Sequence, residues 1–142
     1  IVCYSKFGQR GADQTDEGIE IKPGVSVLSA PLKFNMDGCV KFAYPHGHDE
    51  LLMVALENKS SRETLLRTVP EVGADGTFRD FRPHQVYRDD KGFTVTKRDD
   101  YEMVMVHHHP LQNPNIHHGM GNYLLYMTPG VCPRSANTAS AR

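Results

Sequence analysis

The chain has 142 residues, 39% hydrophobic and 23% charged, which suits one folded domain with a real core and excludes a disordered composition. Its formal charge is −1, with Lys and Arg scattered among Asp and Glu, so neither a nucleic-acid surface nor an anionic-membrane surface is indicated. No apolar run approaches the roughly 18 residues that span a bilayer, no signal peptide is visible, and the opening Ile1-Val2-Cys3 reads as a processed protein or an excised domain.

Taken in chain order, the pattern is β. Residues 1–22 are polar and contain glycine, and are expected to be loosely ordered unless tied down. Short strand-like runs bounded by turn signals then follow. "VSVLSAPLKF" comes after Pro23-Gly24, and "CVKFAY" after Asp37-Gly38. "ELLMVALE" leads through the polar "NKSSRE" to "ETLLRTVP", although Leu, Met, Ala and Glu also make this whole region a helical competitor. "EVGADGTF" reads as a turn, and "FTVTK" follows "DDKG". The paired acids Asp89-Asp90 and Asp99-Asp100 read as turns too. "YEMVMVHHH" and "NYLLYM" are the most apolar runs, and the small, polar residues 133–142 form a second loose end. Many short strands at regular spacing predict an all-β chain, one antiparallel β-sandwich over 1–142.

Eight histidines stand out, and all but His84 fall in two windows, 46–48 and 107–118. Successive strand residues alternate faces, so His46 and His48 point the same way with Cα atoms about 6.5 Å apart. Two imidazoles at that spacing can converge on one ion. The same holds for His107 and His109, with His108 on the other face. Any clamp needs a third ligand, and "NPNIHHGMGNYLLYM" offers His117, His118 and Met120. Soft thioether sulfur prefers Cu(I), and imidazole accepts both copper states, so a His-His-Met set favours copper. The commoner fate of a methionine is packing, and Met36, Met53, Met103, Met105 and Met127 read that way.

Cys3, Cys39 and Cys132 form no CxxC, which argues against a zinc ribbon or thioredoxin-type site. One disulfide with one leftover thiol, or three reduced buried thiols, both remain open. Asn58-Lys59-Ser60 matches the N-glycosylation acceptor pattern. There is no GxSxG elbow and no phosphate loop.

The segment "FAYPHGH", followed 72 residues after His48 by "MGNYLLYM", resembles the C-terminal copper domain of the peptidylglycine and dopamine monooxygenases. "FRPHQVY" and "TKRDDYEMVMV" are similar to that family's intervening strands, and the match runs over about residues 25–133. The resemblance implies a jelly-roll-like β-sandwich. Carried over by position, it implies copper ligands His46, His48 and Met120, and a disulfide between Cys39 and Cys132. It further implies an exported (secreted, extracellular or periplasmic) protein, with copper activating O2 for hydroxylation of a small-molecule or peptide substrate. The family's second copper domain has no counterpart in this chain. His107, His108, His109, His117 and His118 depart from the family pattern. They read as a candidate second metal site, a metal-capturing histidine-rich loop or a solvated loop.

Three other readings stand beside this one. A cupin would bind iron or manganese through His46, His48 and Glu50, with His118 and Asn122 as the distal half. A copper carrier or storage protein would share the His-His-Met ligands without catalysis. A structural β-sandwich with incidental histidines would assemble into oligomers through exposed β-edges.

Overall fold

The structure, a computed structural model, describes residues 2–4, 19–48, 50–75, 78–81, 85–112 and 117–133, with the backbone alone at 2–4, 19, 78, 117 and 118. His84 lies outside the described residues, as do residues 1, 5–18 and 134–142 of the loose ends expected over 1–22 and 133–142. The described elements are strands: β1 (Val2–Tyr4), β2 (Ile19–Ile21), β3 (Gly24–Leu32), β4 (Gly38–Gly47), β5 (Leu51–Asn58), β6 (Glu63–Thr68), β7 (Glu71–Val72), β8 (Phe78–Asp80), β9 (Tyr87–Val95), β10 (Tyr101–His109), β11 (His117–Gly119) and β12 (Gly121–Pro129). Among the described residues there is no helix, and so none long and apolar enough to cross a membrane.

Two four-stranded antiparallel sheets carry the fold, one ordered β1-β12-β4-β9 and the other β3-β10-β5-β6. Two-stranded ribbons, β11-β2 and β7-β8, accompany them. Alternation explains the layering. Along β10 every second residue from Tyr101 to His109 is buried, and the intervening ones are half-buried. Val40, Ala43, Tyr123, Leu125 and Met127 of the first sheet meet Val54, Leu56, Met103 and Met105 of the second in one core. Each buried Val, Leu or Met among them contributes about 1.5–3 kcal/mol. Tyr123 ties the sheets together. Its phenolic hydroxyl donates to the Val54 carbonyl at 3.0 Å and lies 2.8 Å from the Thr68 hydroxyl.

Several expectations are refined. The helical competitor at 49–69 is a hairpin, β5 to β6. Asn58 organises its turn by accepting from the backbone N–H of Ser60 and Ser61 at 2.9 and 3.0 Å, an Asx turn that breaks any helix. The same side chain is buried, and its amide donates to Asp99 at 2.9 Å, so in the folded chain the acceptor nitrogen for a glycan is already committed. "DDKG" does turn, but inside β9. Val40 pairs with Phe93 and Phe42 with Arg88, so residues 89–92 bulge from the ladder. Gly92 is left-handed there, at φ +69°, and a Cβ would collide with the Val40 carbonyl. Met103, Met105 and Met127 are core residues and Met36 packs against the core, whereas Met53 is half-buried opposite Val106 on the outer face of its sheet.

Cys39 and Cys132 form a disulfide, with Cα atoms 4.7 Å apart and a sequence separation of 93. It joins β4 to the segment just past β12, at the end of these strands remote from the histidines. Of the loose N-terminal region, β1 is tied to β12 and β2 to β11.

Candidate metal centre

His46 lies within β4, directly opposite Asn122 of β12, and His48 follows one residue past the strand's end. The outward positions of β4 are Phe42, Tyr44, His46 and then His48, while Ala43 and Pro45 are buried. On β12 the outward positions are Asn122, Leu124 and Tyr126, and Met120 immediately precedes them in the same alternation. The same outer face of one sheet thus holds the two histidines on one strand and the methionine at the start of its neighbour.

Proline and glycine shape this end. Among the described residues the pairing of β4 with β9 stops at Ala43, so Pro45 has only β12 beside it in the ladder. Gly47 lets the strands close up. A Cβ there would collide with the buried Leu51 side chain and stand 3.2 Å from the Met120 carbonyl. That carbonyl accepts a long hydrogen bond, 3.4 Å, from the His48 N–H.

The His46 and His48 rings meet edge to face, with centroids 4.9 Å apart. An imidazole bound at about 2.0 Å puts its ring centre roughly 3.2 Å from the ion, so two rings meeting there at about 90–110° have centres about 4.5–5.2 Å apart. The observed separation falls within that span. Burial, and then the neighbouring His48, push the His46 imidazole below its ordinary value, which favours the neutral form a metal needs. Met120 is half-buried, with its backbone meeting that of His48. Two imidazoles and a thioether therefore suit a soft or borderline ion. Further along the same face lies a groove of about 590 Å³ lined by Phe42, Tyr44, Asp80, Phe81, Val86 and Arg88, with the Arg88 guanidinium 5.6 Å from the centre of the Phe42 ring.

The second histidine window behaves differently. His107 and His109 point inward and are both 0% exposed, whereas His108 is half-buried on the outer face, as strand alternation requires. His117 and His118 pair with Ile21 and Glu20 across the β11-β2 ribbon. Among the described residues no three His, Cys, Asp or Glu side chains gather to hold a metal, and the side chains of His117 and His118 lie outside that description. Of the cupin reading's first half, His46 and His48 share the outer side of β4 and its continuation, and Glu50 does not. Glu50 is turned the other way, 8% exposed, with its carboxylate 2.8 Å from His109 Nδ1.

Sequence reasoning missed this inner pair, because nothing in "HDELL" says which face the acid takes. Two structural features decide it. The Leu51 N–H donates to the His48 carbonyl at 3.3 Å, closing a turn, and Glu50 takes φ +70° at its third position. That position favours Gly or Asn, and a Glu there costs about 1–2 kcal/mol. A bulge then follows. Val106 pairs with Met53 but His107 with Leu51, so Leu52 is the extra residue and Leu51 returns to the interior. Among the described residues, neither ring nitrogen of His107 has a partner of ordinary hydrogen-bond geometry. Burial pushes its imidazole below the ordinary value, against a weaker upward pull from the Met120 backbone and the Glu50 charge.

Comparison of the chain with protein-family models, with curated proteins and with solved structures found no match. The resemblance to the copper monooxygenase domain therefore rests on the motif residues themselves.

Proposed function

We propose that this is a copper-binding β-sandwich in which His46, His48 and Met120 hold one copper ion on the outer face of the β4–β12 strand pair. The observation that carries the reading is the pair of imidazoles 4.9 Å apart, bonded through the His48 backbone to the residue whose thioether would complete the set. Imidazole and thioether together favour Cu(I) while still accepting Cu(II). When bound, copper supplies one-electron cycling and O2 binding, the chemistry of hydroxylation. The chain's own residues supply the rest of the site. Partial burial, and then the neighbouring His48, lower the His46 pKa and so favour its neutral, ligating form. Phe42, Tyr44 and Arg88 form an aromatic bed with a cation along the same face, suited to an apolar substrate that carries an anionic group. The Cys39–Cys132 bond supports an oxidising, exported setting, since disulfides persist there and are rare in reducing compartments.

The test is metal content by mass spectrometry after copper loading, on wild type and on Met120→Ile. The reading expects one copper per wild-type chain and Cu(I) affinity lowered at least tenfold in the variant. Oxygen consumption with ascorbate then separates an oxygen-activating enzyme from a carrier with the same ligands. Iron or manganese retained equally by both proteins, or no stoichiometric metal in either, would overturn it.

A further inference from the structure

We infer that the inward histidines of β10 are positioning residues for the outer copper site, with the buried Glu50–His109 contact acting as the latch that sets where His48 stands. The inference rests on the copper reading above. It starts from three costs that the fold accepts at one place. Glu50 takes a left-handed backbone at φ +70°, its carboxylate is buried at 8% exposure, and it lies against a fully buried imidazole at 2.8 Å. Backbone strain of this kind persists only where the surroundings over-determine it, and it gathers at functional sites. A turn with Gly at this position would connect β4 to β5 without any of the three.

What the arrangement achieves is visible from its neighbours. Glu50 is two residues from His48, within the one turn that ends β4. Its backbone carbonyl accepts from the His108 N–H at 2.8 Å, and its side chain reaches His109. The His48 turn is therefore gripped twice by the last residues of β10, a strand of the opposite sheet. The other arm of the candidate site rests on the same strand. Gly119, next to Met120, lies so close to His107 that a Cβ would stand 2.6 Å from its Nε2. His109 thus backs the His48 side and His107 backs the Met120 side, and the spacing of one inner HxH sets the gap across which the outer ligands face each other. This gives both inner histidines a role in their buried positions. Supporting contacts of this type, which fix the orientation of a ligand from behind, commonly change metal affinity by 10–100-fold when removed.

The test compares copper-loaded wild type with Glu50→Gly and Glu50→Gln. Glycine removes the carboxylate and relieves the left-handed backbone, so the strands lose no conformational compatibility. Glutamine keeps an acceptor for His109 Nδ1–H. The expected result is Cu(I) affinity at least tenfold weaker in Glu50→Gly, with the copper–sulfur contribution in X-ray absorption diminished, and recovery to within about threefold of wild type in Glu50→Gln. A purely structural role would lower thermal stability and leave the sulfur signature intact. Wild-type affinity and signature in Glu50→Gly overturn the inference, as does a Glu50→Gln protein as weak as Glu50→Gly. Should Glu50→Gly fail to fold, Glu50→Asp, which withdraws the carboxylate by one methylene, must weaken Cu(I) binding in the same direction, and unchanged affinity in it overturns the inference. Wild type that binds no copper fails the copper reading itself, and the inference with it.

Discussion

Replacing Cys39 and Cys132 together by alanine removes the disulfide without leaving a partner for Cys3. The bond closes a loop of 93 residues. On the chain-entropy relation, such a loop gives an entropy term of roughly 15–16 cal/mol/K, or about 4.6 kcal/mol at 25 °C. A domain of this size is typically stable by about 5–15 kcal/mol in total, so the loss is a third or more of it. With an unfolding entropy of about 2.1 cal/mol/K per residue, it corresponds to a fall in Tm of about 15 °C. The native ladder beside the bond should survive, because Cys39 still pairs with Thr128 and Gly38 with Pro129, and the Cys132 N–H donates to the Thr94 hydroxyl at 3.0 Å. The histidines lie seven residues along β4, roughly 23 Å away at the strand rise. Urea denaturation and calorimetry should therefore show the large loss, while copper stoichiometry measured well below the new Tm stays at the wild-type value. A stability loss below about 1 kcal/mol would refute the loop-entropy reasoning and place residual structure in the unfolded chain. Loss of copper from a protein that remains folded would refute the mechanical separation of the two ends.

Two further outcomes are expected. Tyr123→Phe removes a buried hydroxyl that bridges the sheets and strands the Thr68 hydroxyl, for a cost of about 1–3 kcal/mol by denaturant titration; a change under about 0.3 kcal/mol would mean the bridge contributes nothing net. His107 bears on pH dependence. Its folded-state pKa is lowered, chiefly by burial, so below the ordinary histidine value of about 6.5 the unfolded chain binds the proton that the folded chain refuses. The stability from its neutral burial is then fully present above that value and is lost as the pH falls below it. Urea midpoints between pH 7.5 and 5.5 should fall more steeply for wild type than for His107→Leu, and equal slopes would sink the assignment.

Much of the fold was legible in the residues. The run "YEMVMVHHH" coincides with β10, because a short apolar run with turn signals at each end leaves few other boundaries. The reading of His107 and His109 as one face, and of His108 as the other, follows from the same period. Placing His46 and His48 on one side was also within reach by counting along one strand, whereas Met120 joins their side only through the β4–β12 register. The Asp89–Gly92 bulge was harder. A turn signal inside a strand looks the same as a turn between strands until the partner strand is known, and here it is β4 that continues past it.

The sequence by itself determined the β class, the strands and the relative facing of neighbouring residues, because those depend on a local period of two and on the backbone preferences of Gly, Pro and Asn. It could not say which face of each strand meets the core. Both HxH pairs alternate alike, yet His46 and His48 stand outward and His107 and His109 inward, because β4 and β10 belong to opposite sheets and each sheet has only one buried side. The direction of Glu50 was likewise a tertiary decision. A left-handed turn residue and a bulge at Leu52 turned an acid next to a candidate ligand away from it and onto a histidine 59 positions along the chain. Absolute facing is settled by what packs against a strand, and that information belongs to the partner strands rather than to the strand's own residues.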